Sequence, residues 1–496
     1  MAFQLAPEQL AGGAPVYQQI AGAIRAQVES GSVLAGERLP TIRALAERLA
    51  VNRDTVAAAY ETLAADGIVD ARVGRGTFVR GLRPRAGAAA PVALSLSANA
   101  ERLVAYDRAR VAYGAGKGAI PLHALVPEAK HFPVDAFRRS LTRVLGEGGG
   151  GLLGYGDPQG ALALREVLAE RLRSSGILVG PESLVLCQGA SQGIALALRL
   201  FADPGDAVAV EEPTYQNALA ALAALGLRAA PVPMRRTGAD LDALDRVLAR
   251  PEVRGFYTIP TFHNPLGTST GLEHRKEVLA IAARHGKAVI EDAYEMDLRY
   301  QGRALPTLAS LDEEGLVVQL LSFSKSLFPG VRAGAMVARG RHVEALLALR
   351  HAADLGGSAP LQAALADFVR TGAYDRHLAA QRKRLRSRRD ALLAALGEEM
   401  PEGATWTEPE GGFQVWLELP EPLDSREIHL DALRAGVLVA PGFQFHHDGR
   451  PSRGFRLSIA LADEAAIREG VRRLGRVVEE RLAAGAKAPE SGPIPV

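Results

Sequence analysis

Residues 81–95 read GLRPRAGAAAPVALS, a run of Ala, Gly, Pro and Arg with neither a helical nor a strand period. Such a stretch carries no apolar face to bury, so the chain is expected to fold as two bodies on either side of it. As a flexible tether it would span about 20 Å r.m.s. and reach about 50 Å when fully extended. The length agrees, because 496 residues exceed one compact core at about 150 residues per domain. The expected divisions are a small domain at 1–80, a linker at 81–96, a large domain at 97–485 and a tail at 486–496, which reads KAPESGPIPV at its end.

Composition narrows the class. Apolar residues at 48% and charged residues at 23% are the proportions of a soluble globular chain. A net charge of +2 argues by itself for neither nucleic acid nor a membrane surface. A single cysteine, Cys187, excludes an intramolecular disulfide framework and fits a reducing compartment, with Cys187 expected in the core. The start MAFQLAPEQL lacks the basic and apolar regions of a leader, and no apolar run is long enough to span a bilayer. A cytoplasmic protein with no membrane partner is expected.

The first 80 residues are dense in helix signals. Pro15 precedes Tyr17, Ile20, Ala21, Ile24 and Val28 at helical spacing, with Gly31 as a stop. Thr41 is placed to cap a second helix with apolar Ile42, Leu45, Ala46 and Leu49. A third comes next, with Val56, Ala59, Tyr60 and Leu63 inward and Asn52, Arg53 and Thr55 on the other face of its first turn. That is where a recognition helix presents donors to the major groove. IVDARV and TFV then read as a hairpin joined by Gly74-Arg75-Gly76, where glycines supply positive φ. Eight Arg against eight Asp and Glu give this region no bulk basicity, so a DNA surface rests on the placement of Arg43, Arg53 and Arg75. A small helical domain for protein contacts is the plainer alternative.

The string from PVYQQIAGAIRAQVES to GRGTFV, with LPTIRALAERLAVNRDTV inside it, resembles the winged helix of GntR-family bacterial regulators. The resemblance implies that Arg43, Asn52, Arg53, Thr55, Gly74 and Arg75 meet operator DNA. Asp54 stands where members often carry an uncharged residue, so no base preference is implied.

The remaining 400 residues alternate short apolar runs with Ala/Leu-rich amphipathic stretches, the pattern of an α/β fold with a mostly parallel sheet. Polar groups recur just beyond those runs, where open sheets bind ligands. SLVLC leads to Gln188-Gly189-Ala190-Ser191-Gln192, AVAV to Thr214-Tyr215, GFYTIP to His263-Asn264, KAVIE to Asp292-Ala293-Tyr294, and VVQLL to Ser322-Phe323-Ser324-Lys325 with Arg332 beyond. Pyridoxal 5'-phosphate accounts for all of them together. It takes a lysine for a Schiff base, a carboxylate at its ring nitrogen, donors at its ring hydroxyl, hydroxyls and an arginine at its phosphate, and an aromatic on its ring face. Lys325, Asp292, Asn264 with Tyr294, Ser322 with Arg332, and Tyr215 fill those roles.

YGDPQGALALREVLAERL, CQGASQGIALAL, EEPTY, YTIPTFHNPLG, VIEDAY, SFSKSLFPGVRAG and FRLSIA resemble the fold-type I aminotransferases of class I and II, from about residue 97 to about 480. The resemblance implies an internal aldimine at Lys325, with Ser191, Gln192, Ser322 and Arg332 on the phosphate. It implies further that Tyr155 reaches the cofactor from a partner subunit and that Arg456 takes the substrate carboxylate. A GntR-type winged helix joined to this fold is the arrangement of MocR/GabR-type regulators. These are homodimers whose subunits exchange winged-helix domains, and they sense an amino compound by aldimine exchange. Two departures stand out. Leu125 and Glu128 replace part of a Gly-x-Pro-Asp run at the pocket entrance, and Asn217 replaces the arginine of GABA-sensing members, which disfavours a GABA-like ligand. The alternatives are a working aminotransferase that carries a DNA-binding domain and a regulator whose effector is pyridoxal phosphate itself. The basic run 382–389 is expected to be a solvated helix face. His446-His447 is expected to lie in a loop, with no metal, because no further ligand stands at metal spacing in sequence.

Overall fold

The computed structural model describes residues 15–29, 32–34, 36–72, 76–80, 94–108 and 118–485. The chain divides into two compact units, Met1–Ser95 and Leu96–Val496.

The first unit contains helices Val16–Glu29, Ile42–Leu49 and Arg53–Ala65, then an antiparallel hairpin of Val69–Arg72 with Gly76–Val79. Its core gathers Ile20, Ile24, Leu45, Leu49, Val56, Ala59, Tyr60, Leu63, Val69 and Val79, so the helical spacing read from the sequence is the spacing that packs. Thr41 caps the second helix, its Oγ1 accepting from the Ala44 N–H at 3.2 Å. Asn52 caps the third by accepting from the Asp54 N–H at 3.2 Å. The Tyr60 hydroxyl donates to the Pro40 carbonyl at 2.7 Å, tying the segment before the second helix to the third. Gly76 has φ +107, a conformation that favours glycine. Gly31, Gly74 and Arg75 lie outside the described residues.

The second unit is built on an eight-stranded sheet. Its strands run in the order Leu184–Cys187, Gly334–Val337, Val317–Ser322, Ala288–Asp292, Val253–Thr258, Ala207–Glu212, Arg228–Arg235 and Gly238–Ala239. The five strands from Val317–Ser322 to Arg228–Arg235 pair in parallel. Gly334–Val337 runs antiparallel to both of its neighbours. Central strands such as Ala207–Glu212 and Val317–Ser322 are buried on both faces, which is why they read as short apolar runs rather than as alternation. Cys187 is buried at the end of its strand, with its thiol pushed up to about 12 by burial. A second, antiparallel sheet of Thr405–Trp406, Gln414–Glu418, Gly454–Ser458 and Ala440–Pro441 carries Arg456.

The run 382–389 departs from expectation. On the helix Ala373–Glu399, Lys383 and Arg386 are exposed, but Arg388 and Arg389 are buried. Arg388 donates to the carbonyls of Ile459 and Ala460 and to Glu128, at 3.3, 2.8 and 2.8 Å. Arg389 donates to the Pro409 carbonyl at 2.7 Å. The guanidinium is a multi-donor fork suited to satisfying loop carbonyls at a packed junction, so these arginines are structural. Among the described residues, no helix is long and apolar enough to cross a membrane.

Candidate functional site

The parallel strands end together, and the loops after them meet over a cavity of about 290 Å³. Asp292 and Ser322 are the last residues of their strands, and Tyr215, Asn264 and Lys325 come shortly after theirs. All five line the cavity, with Ser191, Tyr294, Arg332 and Arg456. Nine side chains read from the sequence therefore meet in one place.

Their contacts fit pyridoxal phosphate. Asp292 is buried, and its Oδ2 accepts from the Tyr257 hydroxyl at 2.7 Å. Its Oδ1 is buried without a hydrogen-bond partner, and burial raises the carboxyl to about 6. A protonated ring nitrogen is the cationic donor such an oxygen lacks. At the other end, the helix Ala190–Phe201 starts from Gly189 (φ +92) with no side-chain cap, so its first N–H groups are available to an anion. Arg332 packs against that start, because a Cβ on Gly189 would sit 3.4 Å from its guanidinium. Arg332 Nη2 donates to the Gln188 carbonyl at 2.7 Å. With Ser191 and Ser322 this makes a cationic, donor-rich seat for a phosphate.

Between the two ends stand the remaining groups. The Tyr294 hydroxyl accepts from Gln414 Nε2 at 2.8 Å, and that of Tyr215 accepts from Asn217 Nδ2 at 2.8 Å. Lys325 Nζ donates to the Leu125 carbonyl at 2.6 Å. Burial holds Lys325 below the usual lysine range, Glu295 opposes that shift, and Arg456 and Arg332 add to it. A lysine so placed holds more of the neutral amine that a carbonyl needs. Burial raises Glu295 to about 7. Arg456 Nη1 donates to Asn264 Oδ1 at 3.0 Å and Nη2 to the His123 carbonyl at 2.8 Å. Its guanidinium stacks 4.9 Å from the Phe445 ring centroid.

A model of aminotransferase class I and II matches residues 125–474, and one of the gntR family of bacterial regulatory proteins matches residues 16–79. The probable rhizopine catabolism regulatory protein MocR of Rhizobium meliloti is 32% identical, over 93% of each chain. The chain belongs to the MocR-type regulators. The HTH-type transcriptional regulator YdcR of Escherichia coli is also 32% identical, over 94% of this chain and 99% of its own. Among solved structures, Pyrococcus horikoshii kynurenine aminotransferase in complex with PMP superposes with a TM-score of 0.71 at 32% identity, covering 79% of this chain and 96% of its own. LysN from Thermus thermophilus, complexed with N-(5'-phosphopyridoxyl)-L-leucine, gives 0.71 at 32% identity over 79% and 100%.

One residue expected at this MocR-type site does not line it. Gln192 does not line the cavity: its Oε1 accepts from the Gln188 N–H at 2.7 Å, and its amide nitrogen donates to Asp354. It supports the loop rather than lining the seat. Tyr155, expected to reach a partner subunit's cofactor, is 89% exposed and off this chain's own cavity. Conversely, Tyr257, Gln414 and Ser324 belong to the site but were not singled out by the sequence, which shows the first two only as members of apolar strands. On the winged helix, Arg43, Asn52 and Arg53 are exposed and Thr55 is half-buried. Arg38, an additional exposed cation, packs against Gly76 of the hairpin.

The loop after Ala440–Pro441 also departs from the sequence reading. His446 and His447 have a partner from 234 and 235 residues away, the buried carboxylate of Glu212.

Proposed function

We propose that this regulator binds operator DNA as a homodimer through its winged helix and that its second domain senses an α-amino acid. The observation that carries the reading is the shared cavity of Lys325, Asp292 and Arg456. When bound, pyridoxal phosphate supplies an aldehyde for an amine and a ring that withdraws electrons from it. Lys325 is the group that an incoming amine displaces. Arg456 pairs with the carboxylate of that amine, and to do so it exchanges its bonds to Asn264 and the His123 carbonyl for a bidentate pair. Asp292 holds the proton on the ring nitrogen, while Ser191, Ser322 and Arg332 anchor the phosphate. Displacement of Lys325 changes the charge and contacts of the cavity, and a shift in DNA affinity requires that the two states bind the amine unequally. Residues 1–80 and 97–485 are the proposed functional divisions, with Arg43, Asn52, Arg53, Thr55, Gly74 and Arg75 on DNA and Tyr155 serving the partner's site.

A second reading has support in the same geometry. Every residue that a transaminase needs at the lysine, ring and carboxylate is present, and the aromatic-amino-acid aminotransferase 1 of Thermococcus litoralis is 33% identical over 73% of this chain. An absorbance titration of the cofactor-loaded protein with the amino acids, taurine, β-alanine and GABA separates the readings, run in parallel with binding to DNA upstream of its own gene. A spectral change without turnover that alters DNA binding supports sensing. Steady conversion to a keto acid supports an aminotransferase. Full response to the cofactor alone, with no further change on adding any amine, overturns amino-acid sensing in favour of a cofactor sensor.

A further inference from the structure

Glu212 has no part in the cofactor chemistry, yet its carboxylate is buried and surrounded by metal-ligating side chains. It closes the strand Ala207–Glu212, three residues before Tyr215. Its Oε1 lies 2.6 Å from His446 Nδ1, and its Oε2 lies 2.8 Å from His447 Nδ1. Arg450 Nη2 reaches Oε1 at 3.2 Å. Asp448 adds a second carboxylate from the same loop, one oxygen of which accepts from the Arg450 N–H at 3.1 Å. The ligand-type atoms of Glu212, His447 and Asp448 all lie within 4.8 Å of one another.

We propose that Glu212, His447 and Asp448 bind a divalent transition-metal ion of the zinc class, with His446 and Arg450 holding the remaining oxygen of Glu212. The donor set chooses the ion. An imidazole beside two carboxylates suits zinc and its neighbours, whereas calcium and magnesium favour oxygen alone. Two carboxylates offset the dication, Arg450 adds one positive charge at Glu212, and three protein ligands leave a fourth position for water. In tetrahedral geometry, ligand atoms about 2.1 Å from the ion stand about 3.4 Å apart, so the 2.8 Å His447–Glu212 pair opens by about half an ångström while separations here reach no more than 4.8 Å. His447 and Asp448 are exposed loop residues that can make that adjustment, and the buried Glu212 is the fixed anchor. His446 and Arg450 act as the outer partners that orient a ligating carboxylate. An ion here pins a loop that matters to the cavity. Phe445, immediately before the histidines, lies under Arg456, and its carbonyl accepts from the Thr214 N–H at 2.9 Å, next to Tyr215.

The test is calorimetric titration of the tag-free, cofactor-loaded full-length protein with zinc chloride after EDTA treatment and dialysis. Calcium and magnesium chloride serve as controls. The expected result is one equivalent of zinc per chain, no calcium or magnesium uptake, and an affinity about 100-fold lower in the His447→Ala/Asp448→Ala double variant. Both replaced side chains are at the surface, and circular dichroism checks that the variant is folded. Thermal unfolding gives a second readout, with zinc raising the midpoint of the wild type but not of the variant. No stoichiometric uptake by the wild type, or equal affinity in the double variant, overturns the proposal.

Discussion

Replacing Asp292 with Asn tests whether the site is built around a cation that the protein itself lacks. The carboxyl is fully buried and rises from 3.8 to about 6, with burial as the main cause and the Tyr257 hydroxyl opposing it. A carboxyl raised on folding binds its proton more tightly in the native state, so its contribution is fully present below about pH 4 and is lost as pH rises through about 6. At about 1.4 kcal/mol per unit, the two-unit shift makes the ionised side chain cost about 3 kcal/mol in the cofactor-free protein at neutral pH. Asparagine carries no such cost. Urea unfolding of cofactor-free wild type and Asp292→Asn at about pH 4 and about pH 7.5 should give similar stabilities at the lower pH. The variant should be more stable at the higher pH, by up to about 3 kcal/mol. Cofactor addition at neutral pH should then stabilise the wild type much more than the variant, because only the wild type gains an ion pair with the ring. A wild type–variant difference that is the same at both pH values would refute the reasoning, since no proton would then be linked to folding at this position.

The site and the winged helix carry three further expectations. Lys325→Ala should abolish the visible absorbance of the cofactor-loaded protein and its response to amines while leaving cofactor-free DNA binding intact, as read by spectroscopy and fluorescence anisotropy. Arg456→Gln should weaken the response to α-amino acids by about 2–5 kcal/mol, the usual cost of losing one partner of a buried charge pair, with little change on titration with amines that lack a carboxylate. Arg53→Ala should weaken operator binding by about 1–3 kcal/mol without altering amine-induced spectral changes, because the side chain is exposed on the first turn of its helix.

Much of the site was legible before the fold because a parallel sheet converts sequence order into spatial convergence. Each apolar run becomes a buried strand, and the residues just beyond it must emerge at the same edge of the sheet. Ser191, Tyr215, Asn264, Asp292 and Lys325 could therefore be assigned to one pocket from their positions after five runs. The winged helix was legible for a different reason. Its core spacing, the Thr41 and Asn52 caps and the Gly76 turn are all set by contacts within a few residues. Long-range partners left no such trace. Tyr257 and Gln414 sit in apolar strands, and only packing turns their polar atoms toward Asp292 and Tyr294. Gln192 looked like a phosphate ligand, but on the first turn of its helix its side chain is taken up by the Gln188 N–H and Asp354.

Local chemistry along the chain thus determined the two bodies, their fold classes, the cofactor-binding set and the face of the winged helix that presents donors. The tertiary structure decided everything that depends on distant pairings. It buried Arg388 and Arg389 of a basic run against loop carbonyls, it aligned Arg456 with Asn264, and it brought Glu212 to His446 and His447. The physical reason is that periodicity and capping are encoded within a turn or a strand. The partner of a buried charge is chosen by where the whole chain must pack to leave that charge satisfied.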